Sequence, residues 1–194
     1  SLQELQQSTA SNYQQLLTKG AVGLMNVKTA DDLEPIDTYL TIGSGNRARG
    51  GFEGRLSFNS SEKYKEIPVM DIYQSRIKEL KDTVGIVNLS LAKLIKDNQS
   101  NPYHAEVGKL GDKFKTDNLK IAVLGNADTK DSYRRQIALI GINKYGFINQ
   151  GDIGHQTVKM VNQYPSNYLT NQSYLISKLD NYLKSCDLII IESG

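Results

Sequence analysis

Two short stretches of this 194-residue chain hold side chains whose types and spacing could do chemistry. The first is "GSGNRARGGFEG", residues 43–54, rich in glycine and arginine. Glycines let backbone N–H groups come close to an anion, and Arg47 or Arg49 would add bidentate contacts. The order is not that of a P-loop, which runs Gly-Lys-Ser/Thr into a helix, and no strand with G-x-G-x-x-G spacing precedes it. The stretch therefore stays open between a plain mobile loop and a loop folded around a ligand. The second is "VLGNAD", residues 123–128, which puts Asn126 and Asp128 just beyond an apolar run. In open α/β sheets ligands bind at the carboxyl ends of strands, so both are ligand-binding candidates. Short polar side chains there can equally cap the following turn. Replacement of Asp128 by alanine is expected to change stability little; a loss of several kcal/mol would mark it as a cap.

"CDLIIIESG", residues 186–194, repeats the arrangement. An apolar strand, expected to be buried on both faces, carries Glu192 to its rim, while Asp187 at the other end reads as a solvated cap. The remaining reactive types offer less. Cys186 is the sole cysteine, which excludes an internal disulfide and fits a small buried hydrophobe better than a reactive thiol. His104 and His155 have no close carboxylate partners in sequence, and no zinc-type Cys/His spacing exists.

Composition bounds the setting. Hydrophobic content of 39% and charged content of 23% are those of a soluble globular domain. The net charge is +2 and no Lys/Arg stripe stands out, so a nucleic-acid partner is not expected. The "YRRQ" pair at 133–136 reads as a solvated face. The longest apolar run, around "IALIGI", falls far short of the ~20 residues of a membrane helix. The opening "SLQELQQSTAS" lacks the basic start and apolar stretch of a signal peptide.

The elements that would position these residues follow from periodicity. "SNYQQLLTK" (11–19) reads as a helix stopped by Gly20, and "AVGLMNV" (21–27) as a strand. Pro35 suits the first turn of a helix through "IDTYLTI". Helical spacing recurs in "PVMDIYQSRIKELKD" from Pro68, in "NLSLAKLIKDN" (88–98) and in "NQSYLISKLDNYLKSC". "NPYHAEVGKLGDKFKTDN" reads as polar and exposed. "LKIAVLG" (119–125) is the clearest buried strand, and "RRQIALIGI" with "GFINQGDI" predicts a β-hairpin across "NKY". Helices alternating with apolar strands predict one α/β domain over 1–194: a three-layer sandwich with a mainly parallel sheet plus a β-hairpin.

Taken together, "NYQQLLTKGAVGLMNVKT", "TYLTIGSGNRA", "KIAVLGNAD" and "DLIIIESG" resemble segments of the alkaline phosphatase superfamily of phosphatases, phosphodiesterases, sulfatases and phosphoglycerate mutases. The likeness is closer to uncharacterised, membrane-anchored, extracytoplasmic bacterial proteins whose outer domain belongs to that superfamily. The resemblance implies a metal-dependent hydrolase or transferase acting on phosphate or related esters. It implies a divalent metal, zinc, manganese or calcium, in the full-length protein. Its ligands are expected outside this chain, which would be part of a larger extracytoplasmic domain, inactive alone, with membrane contact only through other segments. Thr38, the one hydroxyl in "EPIDT", is where the resemblance puts the catalytic nucleophile, with Asn26, Arg47, Asn126 and Asp128 as ligand-binding neighbours. Sulfatases carry Lys and His where this chain has Asn126 and Asp128, and an aspartate facing a sulfate dianion repels it, so sulfatase activity is disfavoured. The alternative is a non-catalytic cell-surface domain that holds an envelope glycan or partner in place of a small-molecule ester.

Overall fold

The structure is a computed structural model and describes residues 11–20, 28–31, 34–77, 84–161 and 167–193. In chain order the elements are α1 (Ser11–Lys19), α2 (Pro35–Ser44), β1 (Ser57–Asn59), β2 (Lys63–Tyr64), β3 (Ile67–Pro68), α3 (Val69–Arg76), β4 (Ile86–Asn88) and α4 (Leu91–Gln99). There follow α5 (Lys109–Thr116), β5 (Ile121–Leu124), α6 (Ala138–Gly141), β6 (Phe147–Ile148), β7 (Gln150–Asp152), β8 (Val158–Met160), β9 (Tyr168–Thr170), α7 (Gln172–Tyr182) and β10 (Leu188–Ile191). None of the described helices is long and apolar enough to cross a membrane.

The fold is α/β. Strands β10, β5 and β7 form a parallel sheet in that order, with Leu188 opposite Ile121 and Leu124 opposite Asp152. A second sheet, β1-β4-β6, is antiparallel throughout. Only Asn149 separates β6 from β7, so one run of chain leaves the antiparallel sheet and enters the parallel one. Parallel pairing is thus confined, among the described residues, to three of the strands. Side chains of β4 alternate as pleating requires. Ile86 enters a large cluster with Leu40, Leu94, Val123 and Leu139, while Val87 packs with Phe58, Val69, Tyr73 and Phe147.

Several expectations need correction. The hairpin over 134–153 is absent: Ala138–Gly141 is a helical turn, and its residues are all buried. A short apolar run enclosed on every side has no period that separates helix from strand. Among the described residues, β2 pairs with β3 and β8 with β9 as antiparallel two-stranded units. The turn of the first has Lys65 and Glu66 both at positive φ, a shape that glycine or asparagine usually announces and these residues do not. The segment 101–118 is not merely an exposed loop, since it contains α5 and buries Ala105, Val107 and Gly111. Strand β10 is half-exposed at the edge of its sheet, with Ile191 45% accessible, and so is not buried on both faces. The strand expected over 21–27, and with it Asn26, lies outside the described residues.

Candidate functional site

The carboxyl edge of the parallel sheet gathers the polar residues. Strand β5 is followed by Gly125, whose φ is 88° and whose N–H donates to the Asp152 carbonyl. A Cβ there would stand 2.1 Å from the Glu192 carbonyl oxygen, so only glycine lets the chain beyond β10 run alongside. The Glu192 N–H in turn donates to the Leu124 carbonyl at 2.9 Å. Three adjacent strands therefore deliver Asp128, Asp152 and Glu192 toward one edge.

Asn126 and Asp128, both inferred from sequence, are brought together, and both are held by protein. Asn126 is 1% exposed. Its Nδ2 donates to the carbonyls of Ile153 and Gly154 and to Thr157 Oγ1, at 2.8 to 3.0 Å, and its Oδ1 accepts the Asp128 N–H. Asn126 is a clamp between the turns that follow β5 and β7. Asp128 accepts the Arg134 N–H on Oδ1 at 2.7 Å and Arg135 Nε on Oδ2 at 2.8 Å. Arg135 also donates Nη1 to Glu62 Oε2 at 2.7 Å, and its guanidinium lies over the rings of Phe58 and Tyr133. Burial works to lower the Arg135 pKa, but the two carboxylates outweigh it and hold the guanidinium charged. The "YRRQ" run is therefore not a solvated face: Arg135 and Gln136 are buried.

Glu192 stands differently. Tyr39, reaching from α2, donates its hydroxyl to Oε1 at 2.9 Å, while Oε2 is shielded from solvent with no partner among the described residues. Burial pushes this carboxyl up to about 7; the Tyr39 bond opposes the shift and the Asp128 charge adds to it. Burial, reinforced by Glu192, lifts the Tyr39 phenol to about 12. Asp152 goes the other way. Burial would raise it, but the Tyr174 hydroxyl, the Gly154 N–H and the Asn59 amide bind its oxygens and bring its pKa below the usual carboxylate range.

Thr38 lies in the second turn of α2, its N–H already donated to the Glu34 carbonyl. Its half-buried side chain makes no hydrogen bond to Asn126, Asp128 or Glu192 among the described residues; the neighbouring Tyr39 is what reaches the edge. Arg47 is elsewhere again. Its Nη1 donates to the Tyr103 hydroxyl at 3.1 Å and its guanidinium lies over that ring.

The glycine-rich stretch does cradle an anion, but the anion is Asp37: the Gly50 N–H donates to its Oδ1 at 2.5 Å. The Ala48 and Arg49 amides go to Thr41 Oγ1 and Asn98 Oδ1. Neither a mobile loop nor an open anion cradle describes that backbone. Asn98, buried in α4, was not singled out from sequence, and an asparagine late in a helix gives no sign of such a role.

A metal does not fit these residues as they stand. Asp128 and Asp152 have both oxygens engaged by protein donors, which leaves Glu192 Oε2 as the open carboxylate oxygen of the three. Among the described residues no three His, Cys, Asp or Glu side chains converge as a metal site. Beside the ion triad a cleft of about 650 Å³ opens, lined by Glu62, Asp128, Tyr133, Arg135, His155 and Tyr168 among others. No protein-family model, curated protein or solved structure matches the chain.

Proposed function

We propose that this chain is the α/β part of an alkaline phosphatase superfamily-like protein that hydrolyses or transfers phosphate or related esters of small molecules. The whole protein would work outside the cytoplasm, anchored to a membrane by segments beyond this chain. The observation that carries the reading is the edge at which three neighbouring parallel strands present Asp128, Asp152 and Glu192, with one Glu192 oxygen left open. Perturbed carboxyls at the carboxyl ends of parallel strands are the usual mark of a reactive site. A three-layer sandwich belongs to the same reading, and the packing of β4 into two separate clusters supports it.

Thr38 is the proposed nucleophile. A divalent metal, when bound by the full-length protein, would supply positive charge against the developing phosphoryl charge. A longer polypeptide that includes the flanking segments tests this. Given zinc, manganese or calcium, it should turn over an aryl phosphate or aryl phosphodiester, and Thr38→Ala should abolish that turnover. No activity with any of the three ions sinks the enzymatic reading.

One observation favours a second reading, a non-catalytic surface domain that holds an envelope glycan. Tyr133, 41% exposed, faces the cleft next to Glu62 and Asp128, and an aromatic face beside carboxylates suits a polyol. Glycan binding lost in Tyr133→Ala, without any ester turnover, would select it.

A further inference from the structure

A pocket at the opposite, amino end of the parallel sheet has a different chemistry. It has a volume of about 290 Å³ and lies between α5, the end of α6 and the junction of β6 with β7. Phe114, Leu119 and Ile148 give it an apolar body, and Lys115 and Lys120 bring positive charge, while no aspartate or glutamate is among its lining residues. Neither lysine has a carboxylate partner within ion-pair distance among the described residues; the nearby Lys113 takes Asp117, and Lys115 Nζ lies over the Tyr145 ring. Asp187 at that end of β10 is engaged by the Lys120 backbone N–H.

Asn143 adds a fixed polar group to the wall. The residue is 5% exposed and lines the pocket. Its Oδ1 accepts the N–H groups of Tyr145 and Phe147, at 2.9 and 3.2 Å, which fixes the carboxamide. Its Nδ2 has no hydrogen-bond partner among the described residues. Because its N–H groups are committed to none of the described residues, an acceptor entering the pocket meets a donor already held in place.

We propose that this pocket binds a small organic anion with an apolar body, of the aromatic carboxylate class. The ring would rest on Phe114 and Leu119, one carboxylate oxygen would accept from Asn143 Nδ2, and the lysines would supply the charge. Pockets of this kind combine apolar walls with a few fixed polar groups that set orientation.

Titrating the 194-residue chain with benzoate, followed by amide NMR, tests the proposal. Saturable shifts are expected at the Asn143 side-chain amide, Gly111 and Gly141, with acetate and benzyl alcohol each binding at least tenfold more weakly. Asn143→Asp keeps both backbone bonds but replaces the donor with a negative oxygen, and should weaken benzoate at least tenfold. Should that variant fail to fold, the exposed pair Lys115→Gln with Lys120→Gln carries the test, with an expected weakening of several-fold. Absence of saturable benzoate binding overturns the proposal. So does benzyl alcohol or inorganic phosphate binding as tightly as benzoate, because either would remove the need for a charged group and an apolar body together.

Discussion

A single guanidinium between two carboxylates leaves one negative charge in excess around Arg135, and that balance decides which substitutions harm. Breaking a buried ion pair by removing one partner costs about 3–5 kcal/mol, mainly because the other charge stays buried. Arg135→Met keeps the apolar contact with Phe58 and Tyr133 but strands both Glu62 and Asp128, so a loss at the top of that range is expected in denaturant unfolding. Adding Glu62→Gln and Asp128→Asn should recover most of it; no recovery would mean that the charges are not what Arg135 serves. Asp128→Ala alone should cost at least about 2 kcal/mol, through the Arg134 N–H and the Arg135 Nε it leaves unbound. This reverses the small effect expected of a ligand-binding aspartate. The sequence placed Asn126 and Asp128 beyond a strand correctly, yet their partners Arg135, Thr157 and Glu62 come from other parts of the chain, and adjacency in sequence carries no sign of them.

Among the elements, α2 has the most to position, since it supplies Thr38, Asp37 and Tyr39 from one short helix. Its approach to α6 is set by Gly43, where a Cβ would stand 2.3 Å from the Leu139 carbonyl oxygen. That neighbour is backbone and cannot rotate away, so Gly43→Ala must push the two helices apart. A loss of more than about 2 kcal/mol is expected from overpacking of this kind, although alanine is the better helix former. A Gly43→Ala protein of unchanged stability would refute the close approach. Helix α2 was legible because Pro35 opens it and its apolar residues keep helical spacing. So were α4, α7 and the two apolar strands β5 and β10. Helix α6 was not, because burial on all sides erases the period. Strand β4 was hidden by its brevity, three residues running almost directly into α4. The order of β10 beside β5, which makes the edge at all, is a long-range pairing that local patterns do not encode.

At the scale of the whole molecule, the charge state of that edge should be visible in stability against pH. Glu192 has a folded pKa of about 7 against an ordinary value of 4.5, so between those limits the folded protein holds a proton that the unfolded chain releases. For such a group stability is highest below 4.5 and falls as pH rises through the folded value. The full effect is at most about 3 kcal/mol, reduced by the partial exposure of the residue. Other groups at the edge act outside this window. Asp152, with a lowered pKa, contributes stability that is lost only as pH falls below the ordinary aspartate value of 3.8, and Tyr39 titrates near 12. Asp37, raised mainly by burial, shares the sign of Glu192 and is present in every variant to be compared. Glu192→Gln keeps an oxygen for the Tyr39 hydroxyl but cannot ionise. Its unfolding free energy should therefore vary less than that of the parent between pH 5 and 8 and exceed it at pH 8. Parallel profiles for the two proteins would mean that Glu192 ionises as freely as an exposed carboxyl, and the sheet edge would then lose its one carboxyl of raised pKa.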